Sequence, residues 1–169
     1  MRKLRILAFA AVTFLGCDDD DDFLDDDFDD ADGDGIPDDI DDDDGTPAML
    51  AWTATLAPNV GYSGLTGTAT VRQDVGAQSF DASASIRGDT PGAVRPWHVH
   101  FGNCATGGDI VGGDLTYPRL IVDASGAADA SVTIPVALDP VAQYHVNVHL
   151  SDAQLGTIIA CGDLIRSQP

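Results

Sequence analysis

Pro96-Trp97-His98-Val99-His100-Phe101 and Gln143-Tyr144-His145-Val146-Asn147-Val148-His149-Leu150 alternate apolar and polar residues without a break. Successive side chains of a β-strand point to opposite faces, so this period of two predicts strands over 96–101 and 143–150. Trp97, Val99 and Phe101 are expected to face a core with Tyr144, Val146, Val148 and Leu150. His98, His100, His145, Asn147 and His149 then share the opposite, wetter face or a cleft.

Short runs of the same texture lie on both sides of these two segments. They span 49–57, 65–73, 78–87, 118–123, 129–136 and 157–165, rich in Thr, Val, Ala and Ser. Turn signals separate them at Asn59, Asp74, Thr90-Pro91-Gly92, Ser125-Gly126 and Asp139-Pro140. About eight short strands with no helical period predict an all-β fold, a Greek-key sandwich or barrel, over 46–169.

Upstream of residue 46 the composition changes. Residues 18–45 hold 18 of the 28 Asp and no basic residue, whereas 46–169 hold 10 Asp and 5 Arg; the chain has no Glu. The net charge of −20 therefore belongs mostly to the segment before the domain. Like charges this dense repel one another, and residues 17–45 read as a disordered acidic tether. Nucleic acid is not an expected partner, since its phosphates call for a basic surface.

Within the tether, Asp30, Asp32, Asp34, Asp38 and Asp41 stand at positions 1, 3, 5, 9 and 12 of a loop, with Gly35 at position 6. Hard oxygen ligands at this spacing, with the backbone carbonyl of Ile36 at position 7, can wrap one Ca²⁺. The wording DADGDGIPDDID resembles a single thrombospondin type 3 repeat, which implies calcium as a cofactor.

The chain begins Met1-Arg2-Lys3-Leu4-Arg5, followed by an apolar run from Ile6 to Leu15 and then Gly16-Cys17. A basic start, about ten apolar residues and a small residue before the cut describe an export signal over 1–16. The run is too short to span a hydrocarbon core, which takes about 20 residues. Phe14-Leu15-Gly16-Cys17 resembles the lipobox of bacterial lipoproteins. That resemblance implies acylation of Cys17, a membrane as partner through the lipid, and a place in the cell envelope on its periplasmic or cell-surface face. In that oxidising compartment the remaining two cysteines, Cys104 and Cys161, are expected to pair.

All four histidines of the chain lie in the two alternating segments. An HxH pair puts two imidazoles on one face about 7 Å apart, from a rise of ~3.3 Å per residue. A third imidazole from a neighbouring strand would complete a set suited to copper or zinc. His145 and His149 are ~13 Å apart along a straight strand, so only one of them is expected to join, unless a bulge intervenes.

Trp97-His98-Val99-His100-Phe101-Gly102-Asn103-Cys104 resembles the FHVHEFGD…C segment of the copper/zinc superoxide dismutase family, and Ile159-Ala160-Cys161-Gly162 is similar to its late ACG motif. His149, in Val146-Asn147-Val148-His149-Leu150, stands where that family has its later copper-binding histidine. The resemblance implies copper on His98, His100 and His149, with His145 a weaker candidate, and the Cys104–Cys161 disulfide. It implies superoxide or copper ions as partners and, for an active enzyme, the same histidines as the catalytic set. The bridging and zinc-binding histidines have no counterpart, so zinc is not expected. Ile158 stands in place of the arginine that guides superoxide, which weakens the case for catalysis.

Tyr144-His145-Val146-Asn147-Val148-His149 also resembles the YVNVHT segment of chordin-type (CHRD) domains, which implies a non-catalytic copper-binding or structural module. The sequence does not separate the two. No phosphate-binding loop or GxSxG motif is present. Gly107-Gly108 and Gly112-Gly113 read as loop flexibility, and Asp109 and Asp114 are equal candidates for touching a metal or orienting a ligand histidine.

Overall fold

In the computed structural model, residues 48–167 are described. Cys17, the acidic tether and the candidate calcium ligands lie outside the described residues.

The domain is almost entirely β. Strands β1 (Met49–Pro58), β2 (Thr66–Asp74) and β3 (Phe80–Arg87) form a meander. The short β4 (Val94–Arg95) leads into β5 (Trp97–Phe101), then come β6 (Leu120–Ile121), β7 (Ala128–Ile134), β8 (Tyr144–His149) and β9 (Ile158–Arg166). Seven strands make one curled antiparallel sheet in the order β5-β8-β9-β1-β2-β3-β7, and β4 pairs with β6. The chain thus crosses from β3 at one side to β5 at the far edge, then returns to place β7 beside β3. Each expected strand is present; β4 is an addition, two residues too short to show a period.

Alternation sorts the meander into two faces. Trp52, Ala54 and Leu56 of β1, Ala69 and Val71 of β2, and Phe80, Ala82, Ala84 and Ile86 of β3 are buried. Their neighbours Thr53, Thr55, Thr68, Asp81 and Arg87 face water. Trp97, Val99, Tyr144, Val146, Val148, Ala160 and Leu164 complete the same core from the other side of the curl. Burying a large apolar side chain contributes roughly 1.5–3 kcal/mol, so this cluster is the main source of stability.

Two polar ties fix the ends of strands beside the histidines. Arg95 is buried with Asp89, its Nε and Nη2 donating to the carboxylate at 2.7 and 2.8 Å. Its Nη1 donates to the Leu150 carbonyl, one residue beyond β8. A register shift at Val148/His149 pairs Val148 with Ala160 but His149 with Ile158, leaving Ile159 as the extra residue of a bulge.

Two sequence expectations are corrected. Phe101 is 45% exposed, not in the core; its ring lies against Tyr144 at the edge of β5. The histidine face is not wet: His98, His100, His145 and His149 are 0, 6, 0 and 4% exposed. The irregular segment 102–119 folds back over β5 and covers that face. Phe101 N–H donates to Asp109 O at 3.0 Å and Val111 N–H to Val99 O at 2.9 Å, so the segment runs as an extra partner along the strand edge. A disulfide between Cys104 and Cys161 ties it to β9, and Cys104 N–H donates to the Asp163 carboxylate at 2.7 Å.

Candidate metal centre

β5 and β8 pair in antiparallel register, with His98 opposite Asn147 and His100 opposite His145. Side-chain alternation puts His98 and His100 on the face away from the core, and the same rule puts His145, Asn147 and His149 there from β8. His149 is the last residue of β8, at the bulge, next to His98.

The imidazoles of His98, His100 and His149 are each held through one nitrogen by a group that can only accept. His98 Nε2 contacts Asp114 Oδ1 at 2.7 Å, His100 Nδ1 contacts Gly108 O at 3.0 Å, and His149 Nδ1 contacts Leu155 O at 2.5 Å. A carbonyl or an ionised carboxylate has no proton to give, so the histidine nitrogen must be the donor in every case. The tautomers follow from these partners: the protons sit on His98 Nε2, His100 Nδ1 and His149 Nδ1.

The remaining nitrogens carry lone pairs, and they converge. His98, His100 and His149 offer ligand atoms that lie within 4.8 Å of one another, and among the described residues these three form the group that can hold a metal ion. His98 Nδ1 and His149 Nε2 are 3.1 Å apart, and with these tautomers each turns a lone pair toward the other. His100 Nε2 is buried with no hydrogen-bond partner. An unpartnered polar atom in a dry site costs about 1–3 kcal/mol, and a cation at the point of convergence would satisfy all three nitrogens together.

Electrostatics keeps the rings in the ligand form. Burial pushes His98 and His100 down to about 4, and it also lowers His145 and His149. The rings are therefore neutral near pH 7, as coordination requires. Burial alone would raise the Asp114 carboxyl, but the hydrogen bond with His98 and the neighbouring Arg119 outweigh it and hold the group below its ordinary value.

His145 takes no part in the converging set. Its ring stacks on that of His100, centroids 5.1 Å apart and 24° between planes, while its Nε2 faces Asn147 Nδ2 at 3.3 Å. It buttresses His100 from behind. The bulge at His149 does not bring the two β8 histidines to one point. Tyr117 packs edge-on against His98 with centroids 5.3 Å apart, and its hydroxyl donates to Val111 O.

Between the two candidate carboxylates the structure places Asp114, not Asp109, on a histidine nitrogen. The expected glycine flexibility is also corrected at two positions. A Cβ on Gly108 would lie 2.0 Å from Phe101 O, and one on Gly112 would lie 2.4 Å from Ile134 Cγ2. These glycines let the covering segment press onto β5 and β7, which brings the Gly108 carbonyl within reach of His100. Leu155 and Arg119 were not singled out by the sequence. A backbone acceptor leaves no side-chain signature, and an isolated arginine between Pro118 and Leu120 carries no spacing motif.

No protein-family model matches the chain, and no curated protein matches it.

Proposed function

We propose that the domain is the copper-binding, superoxide dismutase-like module of an envelope lipoprotein. Its copper would sit on His98 Nδ1, His100 Nε2 and His149 Nε2. The observation that carries this reading is the convergence of three lone pairs whose opposite nitrogens are fixed by acceptors. Imidazole donors suit copper and zinc alike, and Cu²⁺ stands highest among the first-row divalent ions for such a site. The resemblance of the Trp97–Cys104 and Ile159–Gly162 segments to motifs of the copper/zinc superoxide dismutase family favours the same ion.

Bound copper would supply one-electron exchange, so that superoxide is alternately oxidised and reduced. The chain's own residues do the rest. His98, His100 and His149 supply neutral donors from two rigid strands, and Asp114 and the carbonyls of Gly108 and Leu155 fix the ring orientations. Tyr117 and the covering segment keep bulk water from the buried faces of the rings.

A second reading, copper binding without turnover, is favoured by the charge around the site. Arg119 lies between the carboxylates of Asp114 and Asp152, at 3.1 and 2.8 Å, so its charge is neutralised. A surface of this sign attracts a metal cation and does not steer an anion such as superoxide. The two readings separate in a superoxide-consumption assay on copper-loaded protein. Dismutation that disappears with His98→Ala plus His149→Ala supports the enzyme; stoichiometric copper with no activity supports the binding module.

We assign Cys17 as the lipid anchor and Asp30, Asp32, Asp34, Ile36, Asp38 and Asp41 as a calcium loop in the spacer. Accumulation of precursor under globomycin tests the anchor; normal processing under the drug contradicts it. Calorimetry of a 28–45 peptide tests the loop, and no heat at millimolar Ca²⁺ contradicts it.

A further inference from the structure

We propose that Arg119 is a positioning residue for the histidine site, strapping together the two 3-10 turns that orient His98 and His149. The proposal rests on reading the three histidines as a metal centre.

The two outer acceptors come from separate parts of the chain. Asp114 opens the turn Asp114–Thr116 in the covering segment and accepts the hydrogen bond from His98 Nε2. Leu155 follows directly on the turn Asp152–Gln154, and its carbonyl accepts the hydrogen bond from His149 Nδ1. These two turns are not paired as strands of the sheet. What spans them is one guanidinium. Arg119 Nη2 donates to Asp114 Oδ1 at 3.1 Å and Nε donates to Asp152 Oδ1 at 2.8 Å. Nη1 reaches the carbonyls of Tyr117 at 3.2 Å and Asp114 at 3.4 Å.

The arrangement uses what arginine alone offers. Its planar fork can face two carboxylates and two carbonyls at once, whereas a lysine ammonium is a point charge on a flexible stem. One end of the strap shares Asp114 Oδ1 with His98, so a shift of the guanidinium moves the atom that sets the His98 ring. The other end holds the turn that delivers the Leu155 carbonyl. The Arg119 side chain is 20% exposed and that of Asp114 31%, so the inner pair is shielded in part from water; Asp152 is 61% exposed and touches no histidine. An ordinary surface ion pair would contribute little to stability and leave the imidazoles alone.

The test uses the full-length protein with Arg119→Ala, Arg119→Lys and Asp152→Ala. Cu²⁺ affinity is read by chelator competition and site geometry by electron paramagnetic resonance. Metal-free samples are read by the imidazole N–H proton resonances of His98 and His149. Loss of a group that orients ligands typically weakens metal binding by about 10–100-fold, the decrease expected for Arg119→Ala, with a changed copper hyperfine coupling. Asp152→Ala, which leaves Asp114 in place, is expected to weaken binding by roughly three- to tenfold, and Arg119→Lys to fall between wild type and Arg119→Ala. In the metal-free protein the two N–H signals are expected in the wild type and broadened or lost in Arg119→Ala. Affinity within twofold of wild type in both alanine variants, with unchanged spectra, overturns the strap. If the wild type takes up no copper, the metal reading fails on its own and the N–H resonances decide. Their loss in Arg119→Ala supports the strap; their retention there, or their absence from the wild type, overturns it.

Discussion

Replacing Cys104 and Cys161 together by serine should cost the domain about 4 kcal/mol, and the loss should reach the histidine site. The bond closes a loop of 57 residues. In the chain-entropy picture the restriction of the unfolded state grows as 1.5R ln n plus a constant, which for this length gives about 4 kcal/mol at 25 °C. The rest of the fold does not depend on the bond, because β8 and β9 keep their register through Val146–Gly162 and Val148–Ala160. The substituted domain should therefore still fold, with a urea midpoint lowered in proportion and a melting temperature down by roughly 15 °C. The covering segment carries both Gly108 and Asp114, so copper affinity should fall in the same variant. Equilibrium urea unfolding of oxidised wild type against the double serine variant measures the first effect, and chelator competition the second. A stability loss under about 1 kcal/mol, with unchanged copper affinity, would show that the ladder along β5 holds the segment by itself and would refute the reasoning.

Asp114→Asn removes the charge-assisted bond to His98 and allows the wrong ring tautomer; copper affinity should drop about 10–100-fold in chelator competition, with little change in melting temperature. Gly108→Ala forces a Cβ to within 2.0 Å of Phe101 O, so the segment must lift; urea unfolding should show a loss of roughly 1–3 kcal/mol together with weaker copper binding. His145→Ala leaves a space behind His100 and should broaden the copper spectrum without abolishing binding, whereas His100→Ala should abolish it. The metal-free domain should lose stability in acid. The folded values of His98 and His100, about 4, lie below the ordinary 6.5, so the unfolded chain takes up protons first as pH falls. Stability is then complete above 6.5 and is lost between 6.5 and about 4, by up to roughly 1.4 kcal/mol per pH unit for each ring; urea midpoints at pH 7.5 and 4.5 check it.

The strands were legible because a period of two survives in the sequence wherever one face packs a core, as in Trp52, Ala54 and Leu56 against Thr53 and Thr55. Periodicity also put His98, His100 and His149 on one side of two neighbouring strands. It said nothing of what covers that side. Residues 102–119 are irregular, and their hold on the histidines runs through backbone carbonyls, glycine contacts and a single carboxylate, none of which has a sequence period. That is why the face read as wet, why Asp109 and Asp114 looked equivalent, and why Phe101 was counted as core although the sheet edge passes beneath it. Arg119 joins groups distant in sequence and was legible only after folding.

Metal binding by this domain requires the three histidines to act together. Metal analysis of the purified protein after incubation with Cu²⁺ and Zn²⁺ together, followed by desalting, tests it most directly. We predict copper at one equivalent in excess of that retained by the His98→Ala plus His149→Ala variant, with zinc equal in the two. Equal copper in both proteins, or a histidine-dependent equivalent of zinc in its place, would contradict it.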